Sequence, residues 1–210
     1  MDSTLCNKKM RSVLIEALER LTTIFWVPTP ESCQEMADGT FWAPFEVLEP
    51  FLNYDPPDAV ARLKEMCATA KNGSQLADQL ETDYVTAFVN RLGGIRASLD
   101  SSSYFGDDAT LMGAPARLME ASFAAKGLQL ATDRNEPPDH LAIQLEFCFF
   151  LLAQEKSDTA RQEAAQFIRD ALLPWVPQFH AGLRTETPFD FYALTASLLV
   201  GVLNLISELR

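Results

Sequence analysis

Apolar residues recur at three- and four-residue steps along most of the chain. In the N-terminal segment this spacing places one set of apolar side chains on a single helical face. The set is Met10, Val13, Leu14, Ala17, Leu18, Leu21, Ile24 and Phe25. No alternating run bounded by hairpin turns occurs anywhere in the sequence. The pattern therefore predicts an all-α protein, a compact helical domain of about eight to ten helices.

Prolines and glycines indicate where several of these helices begin and end. Pro44 predicts the first turn of a short helix, and Asp55 before Pro56-Pro57 predicts the N-cap of the next one. We expect Gly73 to end that helix and Ser74 to cap the helix that follows.

The segment over residues 139–156 is apolar on all sides, which is typical of a helix at the centre of a domain. A break at residues 131–138, with charges and two prolines, precedes it. We expect one helical domain over residues 1–210, with an N-terminal lobe of about 1–130 and a C-terminal lobe of about 139–210. The break is then a possible hinge near 131–138, and it leaves both a monomer and a domain-swapped homodimer open.

The chain is acidic, with 17 Lys and Arg against 29 Asp and Glu and a net charge of −12. This charge should repel nucleic acid and anionic lipid, and it should attract basic partners. Charge alone also fits a surface that serves only solubility. We therefore expect no nucleic-acid partner and no stable membrane insertion.

No targeting or membrane-spanning segment is evident from the sequence. Residues 1–20 carry charges at helical spacing and lack the apolar core of a signal peptide. The longest apolar stretch, 191–206, is too short to span a bilayer and contains Thr195, Ser197 and Asn204. The sequence thus predicts a cytoplasmic protein.

The chemistry of common enzymes and metal sites is absent from the sequence. No phosphate-binding loop, nucleophile elbow, zinc-protease motif or EF-hand loop occurs. His140 and His180 are the two histidines, and the four cysteines form no CxxC pair. We expect the thiols to be reduced and buried, and we expect no catalytic residue, no metal and no cofactor. The cysteines are Cys6, Cys33, Cys67 and Cys148.

The most informative segment runs from Glu136 to Leu141, directly before the central helix. Its two prolines hold the backbone extended and then favour a first helical turn. Asp139 lies at the positive end of the helix, where a carboxylate is stabilised by about 0.3–1 kcal/mol. The helix end disfavours a charged His140 while Asp139 favours it, and the sequence does not decide between them. A capped helix start with a hydrogen-bonded histidine is the simplest interpretation of this pattern.

The same segment also resembles the signature of a known family. It reads Glu136-Pro137-Pro138-Asp139-His140-Leu141, followed by Leu145-Glu146-Phe147. This run resembles the TorD/DmsD family of redox-enzyme maturation chaperones, and the similarity extends from about Leu76 to the C-terminus. Further matching positions are Asp83-Tyr84, Phe88-Val89, Ser102-Ser103-Tyr104, Phe123, Gly127-Leu128, Phe167, Trp175, Pro177, Phe179, Pro188 and Tyr192. The chain departs from the family pattern at Ala97-Ser98-Leu99-Asp100 and at Ala171.

The resemblance implies a function and a partner. Members of this family bind the twin-arginine signal peptide of a molybdenum-cofactor enzyme and delay export until the cofactor is inserted. We expect the partner to be the signal peptide of a molybdoenzyme catalytic subunit, bound in a groove between the Tyr84 helix, the Tyr104 loop and the start of the central helix. Carboxylates there suit arginine, and the aromatic rings and prolines provide contact area. The candidate binding residues are Glu136, Pro137, Pro138, Asp139, His140, Tyr104, Tyr84 and Phe88.

Three other functions stay open from the sequence. An enzyme would use the Asp139–His140 pair, although adjacent helical residues point about 100° apart and rarely face one substrate. A nucleotide-responsive module is a second alternative, because some members of the family are reported to interact with guanine nucleotides or the molybdenum cofactor. A general helical adaptor that binds some other protein is the third. The sequence does not identify the client oxidoreductase.

Overall fold

The computed structural model describes residues 3–89, 94–105, 113–130, 136–154, 158–184 and 190–208. These residues form ten α-helices and no strand, which confirms the all-α prediction. None of the helices in these ranges is long and apolar enough to cross a membrane. The helices are α1 (Ser3–Ile24), α2 (Pro30–Ala37), α3 (Ala43–Leu48), α4 (Ala59–Ala68), α5 (Gly73–Tyr84), α6 (Ala114–Ala125), α7 (Leu141–Ala153), α8 (Asp158–Phe167), α9 (Val176–Arg184) and α10 (Phe191–Ser207).

One hydrophobic core joins these helices. Helix α1 packs along α7, α10 packs against α4 and α9, and α2 packs against α5. Helix α7 is apolar on nearly all sides and is largely buried, as predicted for a central helix. The division into two lobes stays a prediction, and residues 131–135 of the expected hinge lie outside the described residues.

Two helix starts differ from those predicted. Helix α4 has Asp58 at its N-cap position, and not Asp55 as predicted. The Asp55 backbone amide donates a hydrogen bond to the Ser197 hydroxyl over 3.1 Å. Helix α5 begins at Gly73, and the Asn72 side chain caps it. Gly73 therefore starts a helix rather than ending one. Glycine is required here because the residue packs closely on the backbone of α2, and not because a turn requires it.

Some short helical segments are not α-helical. Helix α5 continues as a π-helical segment over Val85–Val89, and α8 continues as another over Ile168–Leu172. A 3₁₀ turn over Ser101–Tyr104 lies between α5 and α6 in the sequence. Such π-helical segments occur often at functional sites.

Three of the cysteines are free, buried thiols, as expected: Cys33, Cys67 and Cys148. Burial, with a smaller contribution from the nearby Cys33, raises the pKa of Cys67 to about 12. A thiol with such a pKa is almost entirely protonated at neutral pH and is a poor nucleophile. The side chain of Cys6 lies outside the described residues.

Candidate functional site

The start of α7 is held by backbone pairing with a segment about 40 residues earlier in the chain. The Leu141 amide donates to the Leu99 carbonyl over 2.8 Å, and the Ser101 amide donates to the Asp139 carbonyl over 3.2 Å. These bonds form an isolated antiparallel bridge. The predicted loop and the predicted helix start are therefore brought together, as the groove expected from the sequence requires.

Asp139 is completely buried and is the polar centre of this pairing. Its Oδ2 atom accepts hydrogen bonds from the Ser101 hydroxyl at 3.2 Å, the Ser102 amide at 2.7 Å and the Ser102 hydroxyl at 2.5 Å. Its Oδ1 atom is buried and has no hydrogen-bond partner among the described residues. In this conformation the carboxylate orders the 3₁₀ turn and is not accessible to a peptide.

His140 is the N-cap of α7, and its side chain is also buried. The Ala142 amide donates to Nδ1 over 3.2 Å, so that nitrogen carries no proton in this geometry. The imidazole stacks on Trp26, with ring centroids 4.9 Å apart and planes 11° from parallel. Trp26 in turn donates from Nε1 to Glu146 over 3.1 Å. The histidine thus joins the segment that follows α1 to α7. A direct contact of Asp139 or His140 with a peptide stays a prediction.

Three carboxyl groups form an acidic cluster at this helix start: Asp100, Glu136 and Asp139. Burial, followed by the charges of Asp139 and Glu136, raises the pKa of Asp100 to about 6. Burial, followed by Glu136 and Asp100, likewise raises the pKa of Tyr84 to about 12. Glu136 is exposed and makes no ion pair within the described residues. The described residues contain no group of three or more His, Cys, Asp or Glu side chains arranged to hold a metal ion.

Tyr84 and Phe88 lie mostly within the core, beside the acidic cluster. Their rings contact each other edge to face with centroids 5.1 Å apart, and Phe88 contacts Tyr192 at 4.9 Å. The two side chains keep only 6% and 8% of their surfaces exposed. Packing is the role that these contacts show, and a role in peptide binding stays a prediction for both residues.

The remaining predicted residues are more varied in exposure. Tyr104 is half-buried, donates from its hydroxyl to the Ser98 carbonyl over 2.9 Å, and contacts Trp175 at 5.1 Å between ring centroids. Pro137 is half-buried and Pro138 is buried. Of the eight predicted residues, Glu136 is therefore the one with an exposed side chain.

A cleft that the sequence does not predict lies beside the 3₁₀ turn. It has a volume of about 400 Å³. We call it the α6 cleft, and Ser101, Phe105, Ala114, Pro115, Leu118, Met119, Gln144, Asp170 and Ala171 line it. No helical or strand periodicity links positions so far apart in the sequence, so no local pattern could have indicated this cleft.

Replacement of Asp100 by asparagine is expected to change how stability depends on pH. The pKa of Asp100 in the folded protein, about 6, lies above its ordinary value of 3.8, so the folded state binds the proton more tightly. The stabilisation that comes from this tighter proton binding by Asp100 is complete below about pH 4, and it is lost as the pH rises through about 6. After allowance for solvent screening, Asp100→Asn should raise the free energy of unfolding by about 1–2 kcal/mol at pH 7.5 and leave it unchanged at pH 4.

Urea unfolding between pH 4 and 8 measures this effect, and Asp78→Asn is the control because Asp78 is exposed on α5. Equal pH profiles for Asp100→Asn and the wild type would show that Asp100 does not titrate in the cluster.

Comparison with known proteins places this arrangement in a family. The family model of the nitrate reductase delta subunit matches residues 53–181, more than half of the chain. The chaperone protein TorD of Vibrio parahaemolyticus serotype O3:K6 is 31% identical over 159 residues, which cover 71% of this chain and 69% of that protein. The chain belongs to the TorD and nitrate reductase delta subunit family. This finding confirms the resemblance inferred from the sequence.

Other TorD-family relatives align over shorter segments. The chain is 31% identical to TorD of Photobacterium profundum and 34% identical to TorD of Vibrio atlanticus, over 50% and 51% of its own length. It spans about half the length of these two relatives, 52% and 54%. A crystal structure from Archaeoglobus fulgidus, described as a candidate redox enzyme maturation protein, has the same fold. Its TM-score is 0.55 at 19% identity, over 87% of this chain and 88% of the other.

Proposed function

We propose that this chain is a cytoplasmic chaperone that binds the twin-arginine signal peptide of a molybdenum-cofactor oxidoreductase. In that role it aids cofactor insertion and delays export, and it catalyses no reaction itself. Membership of the TorD family supports the proposal, because its relatives are chaperone proteins named TorD. The client is the catalytic subunit that carries the signal peptide.

The acidic cluster is the observation that carries this proposal. Glu136 is exposed, and its charge acts on Asp100 together with that of Asp139. The negative charges of this cluster repel one another. An incoming guanidinium at the exposed Glu136 relieves this repulsion and forms charge-assisted hydrogen bonds with that carboxylate. The net charge of −12 adds a long-range attraction for a basic peptide. The cluster therefore favours a cationic partner over an anionic one.

Replacement of Glu136 by glutamine is expected to weaken binding of a synthetic twin-arginine signal peptide by about three- to tenfold. The variant keeps the size of the side chain and removes its charge. Binding by the wild type should weaken as ionic strength rises, and this salt dependence should be smaller in the variant. Isothermal titration calorimetry at two salt concentrations measures both effects.

Glu19→Gln is the matched control, because Glu19 is an exposed glutamate on α1 whose side chain makes no hydrogen bond or ion pair among the described residues. A twin-lysine peptide tests the preference for the planar guanidinium over a point charge. Absence of binding to the wild type would refute the proposed function. Binding by Glu136→Gln that equals the wild type at both salt concentrations would refute the assignment of the site.

A further inference from the structure

The α6 cleft presents large apolar side chains to solvent. Phe105 keeps 42% of its surface exposed and Leu118 keeps 51%, and both line the same cleft. Pro115 and Met119 extend this apolar wall along α6. Exposed apolar side chains that share a concave surface are typical of binding sites for apolar groups.

The polar groups at the base of the cleft already have partners inside the protein. The Ser101 hydroxyl donates to the Asp139 carboxylate, and the Gln144 side-chain amide donates to the Asp139 carbonyl over 2.6 Å. Both side chains are almost fully buried, at 2% and 1% exposed. Since these donors are directed towards Asp139, the accessible surface of the cleft is mainly apolar.

The rim of the cleft adds a negative charge. Asp170 is exposed and lies in the π-helical segment Ile168–Leu172, with Ala171 beside it in the cleft. One Asp170 oxygen accepts from Gln166 over 2.7 Å, so the carboxylate is held in place. An occupant with both apolar and basic groups therefore complements this surface better than an acidic one.

The α6 cleft adjoins the acidic cluster through a single peptide bond. Asp100 belongs to the cluster, and Ser101, the next residue, lines the cleft. Asp139 also interacts with both regions. Its charge acts electrostatically on Asp100, and its carboxylate accepts a hydrogen bond from the Ser101 hydroxyl. An acidic region followed directly by an apolar one matches a twin-arginine peptide, which carries arginines followed by an apolar stretch.

We infer that the α6 cleft binds the apolar stretch of the signal peptide while Glu136, the exposed carboxylate of the acidic cluster, binds its arginines. This inference rests on the proposed function and adds to it a second contact region, outside the groove expected from the sequence. Asp139 is then a positioning residue, because it orients Ser101 and Gln144 without touching the peptide.

Replacement of Leu118 by glutamine tests this inference. The change keeps helix propensity and charge but removes exposed apolar surface from the cleft. It should weaken binding of the twin-arginine peptide about tenfold, with the salt dependence of the wild type retained. Val47→Gln is the matched control, because Val47 is 50% exposed and lies on α3, away from the residues that line the cleft. Calorimetric titration measures both variants.

A second peptide, with glutamines replacing the leucines of its apolar stretch, makes the test specific. It should bind the wild type more weakly than the original peptide does. It should bind Leu118→Gln with the same reduced affinity, because the change in the peptide and the change in the protein remove the same contact. Equal binding of the original peptide by the wild type and Leu118→Gln would overturn the inference and leave the proposed function intact. A wild type that binds no peptide would instead overturn the proposed function.

Sedimentation velocity tests whether a second copy of this chain, and not a peptide, occupies the α6 cleft. The wild type and Leu118→Gln should sediment identically without peptide. Dissociation of a wild-type dimer by this substitution would overturn the inference, because the cleft would then be an interface between copies.

Discussion

The Asp139→Ala variant should lose about 2–4 kcal/mol of its free energy of unfolding at pH 7. Three hydrogen bonds end on one buried oxygen of this carboxylate, two from hydroxyls and one from the Ser102 amide. Alanine leaves those donors buried without an acceptor, and donors bonded to a charged group contribute about 1.5–3 kcal/mol each. Relief of repulsion from Asp100 offsets part of the loss. Urea unfolding followed by circular dichroism measures the difference.

Asp139→Asn is the informative control for this prediction. Its side-chain oxygen can still accept from Ser101 and Ser102, and its amide takes the place of the oxygen that has no partner. We expect a loss of only about 1 kcal/mol, and the pKa of Asp100 should fall from about 6 because a neighbouring charge is gone. Equal losses for the alanine and asparagine variants would show that the hydrogen bonds to the serines contribute little.

This prediction also affects how binding data on the motif should be interpreted. Loss of peptide binding by Asp139→Ala would follow from disorder of the 3₁₀ turn, without any contact between Asp139 and the peptide. Glu136→Gln does not carry this ambiguity because Glu136 is exposed. The exposed carboxylate is therefore the better probe of recognition, and the buried one is the better probe of stability.

Gly73→Ala should destabilise the protein by about 3 kcal/mol or more. A Cβ atom at this position would lie 2.3 Å from the Pro30 carbonyl oxygen and 2.7 Å from the Gln34 amide nitrogen. Both are backbone atoms, so α2 and α5 would have to move apart. The Gly73 amide also donates to the Gln34 side chain over 2.8 Å, and this bond would be strained or lost. Thermal and urea unfolding measure the loss.

Gly201→Ala is the matched control, in the interior of α10. A Cβ atom there would lie 3.4 Å from the Asn53 carbonyl oxygen, close to ordinary contact. Alanine also favours the helix by about 1 kcal/mol, so the net change should be within about 1 kcal/mol. If Gly73→Ala proves as stable as Gly201→Ala, the close approach of α2 and α5 does not occur in solution.

The candidate site could be predicted from the sequence only in part. The segment from Glu136 to His140 is the start of a central helix, as the sequence predicts, and it lies within the residues that the family model matches. The sequence could not show that Asp139 and His140 are buried, because their burial depends on Ser101, Ser102 and Trp26, which are distant in the chain. Local patterns contain no information about such partners.

Three conclusions could be reached from the sequence without coordinates: the protein is all-α, its most apolar helix is central, and it resembles the TorD family. Those conclusions follow from helical periodicity and from a short motif, both of which are local properties of the chain. The packing of the helices was needed to show which carboxylate is exposed, where Gly73 packs, and that an apolar cleft adjoins the acidic cluster. These features depend on contacts between helices, and their geometry is fixed by how the helices pack and not by the spacing of residues within each one.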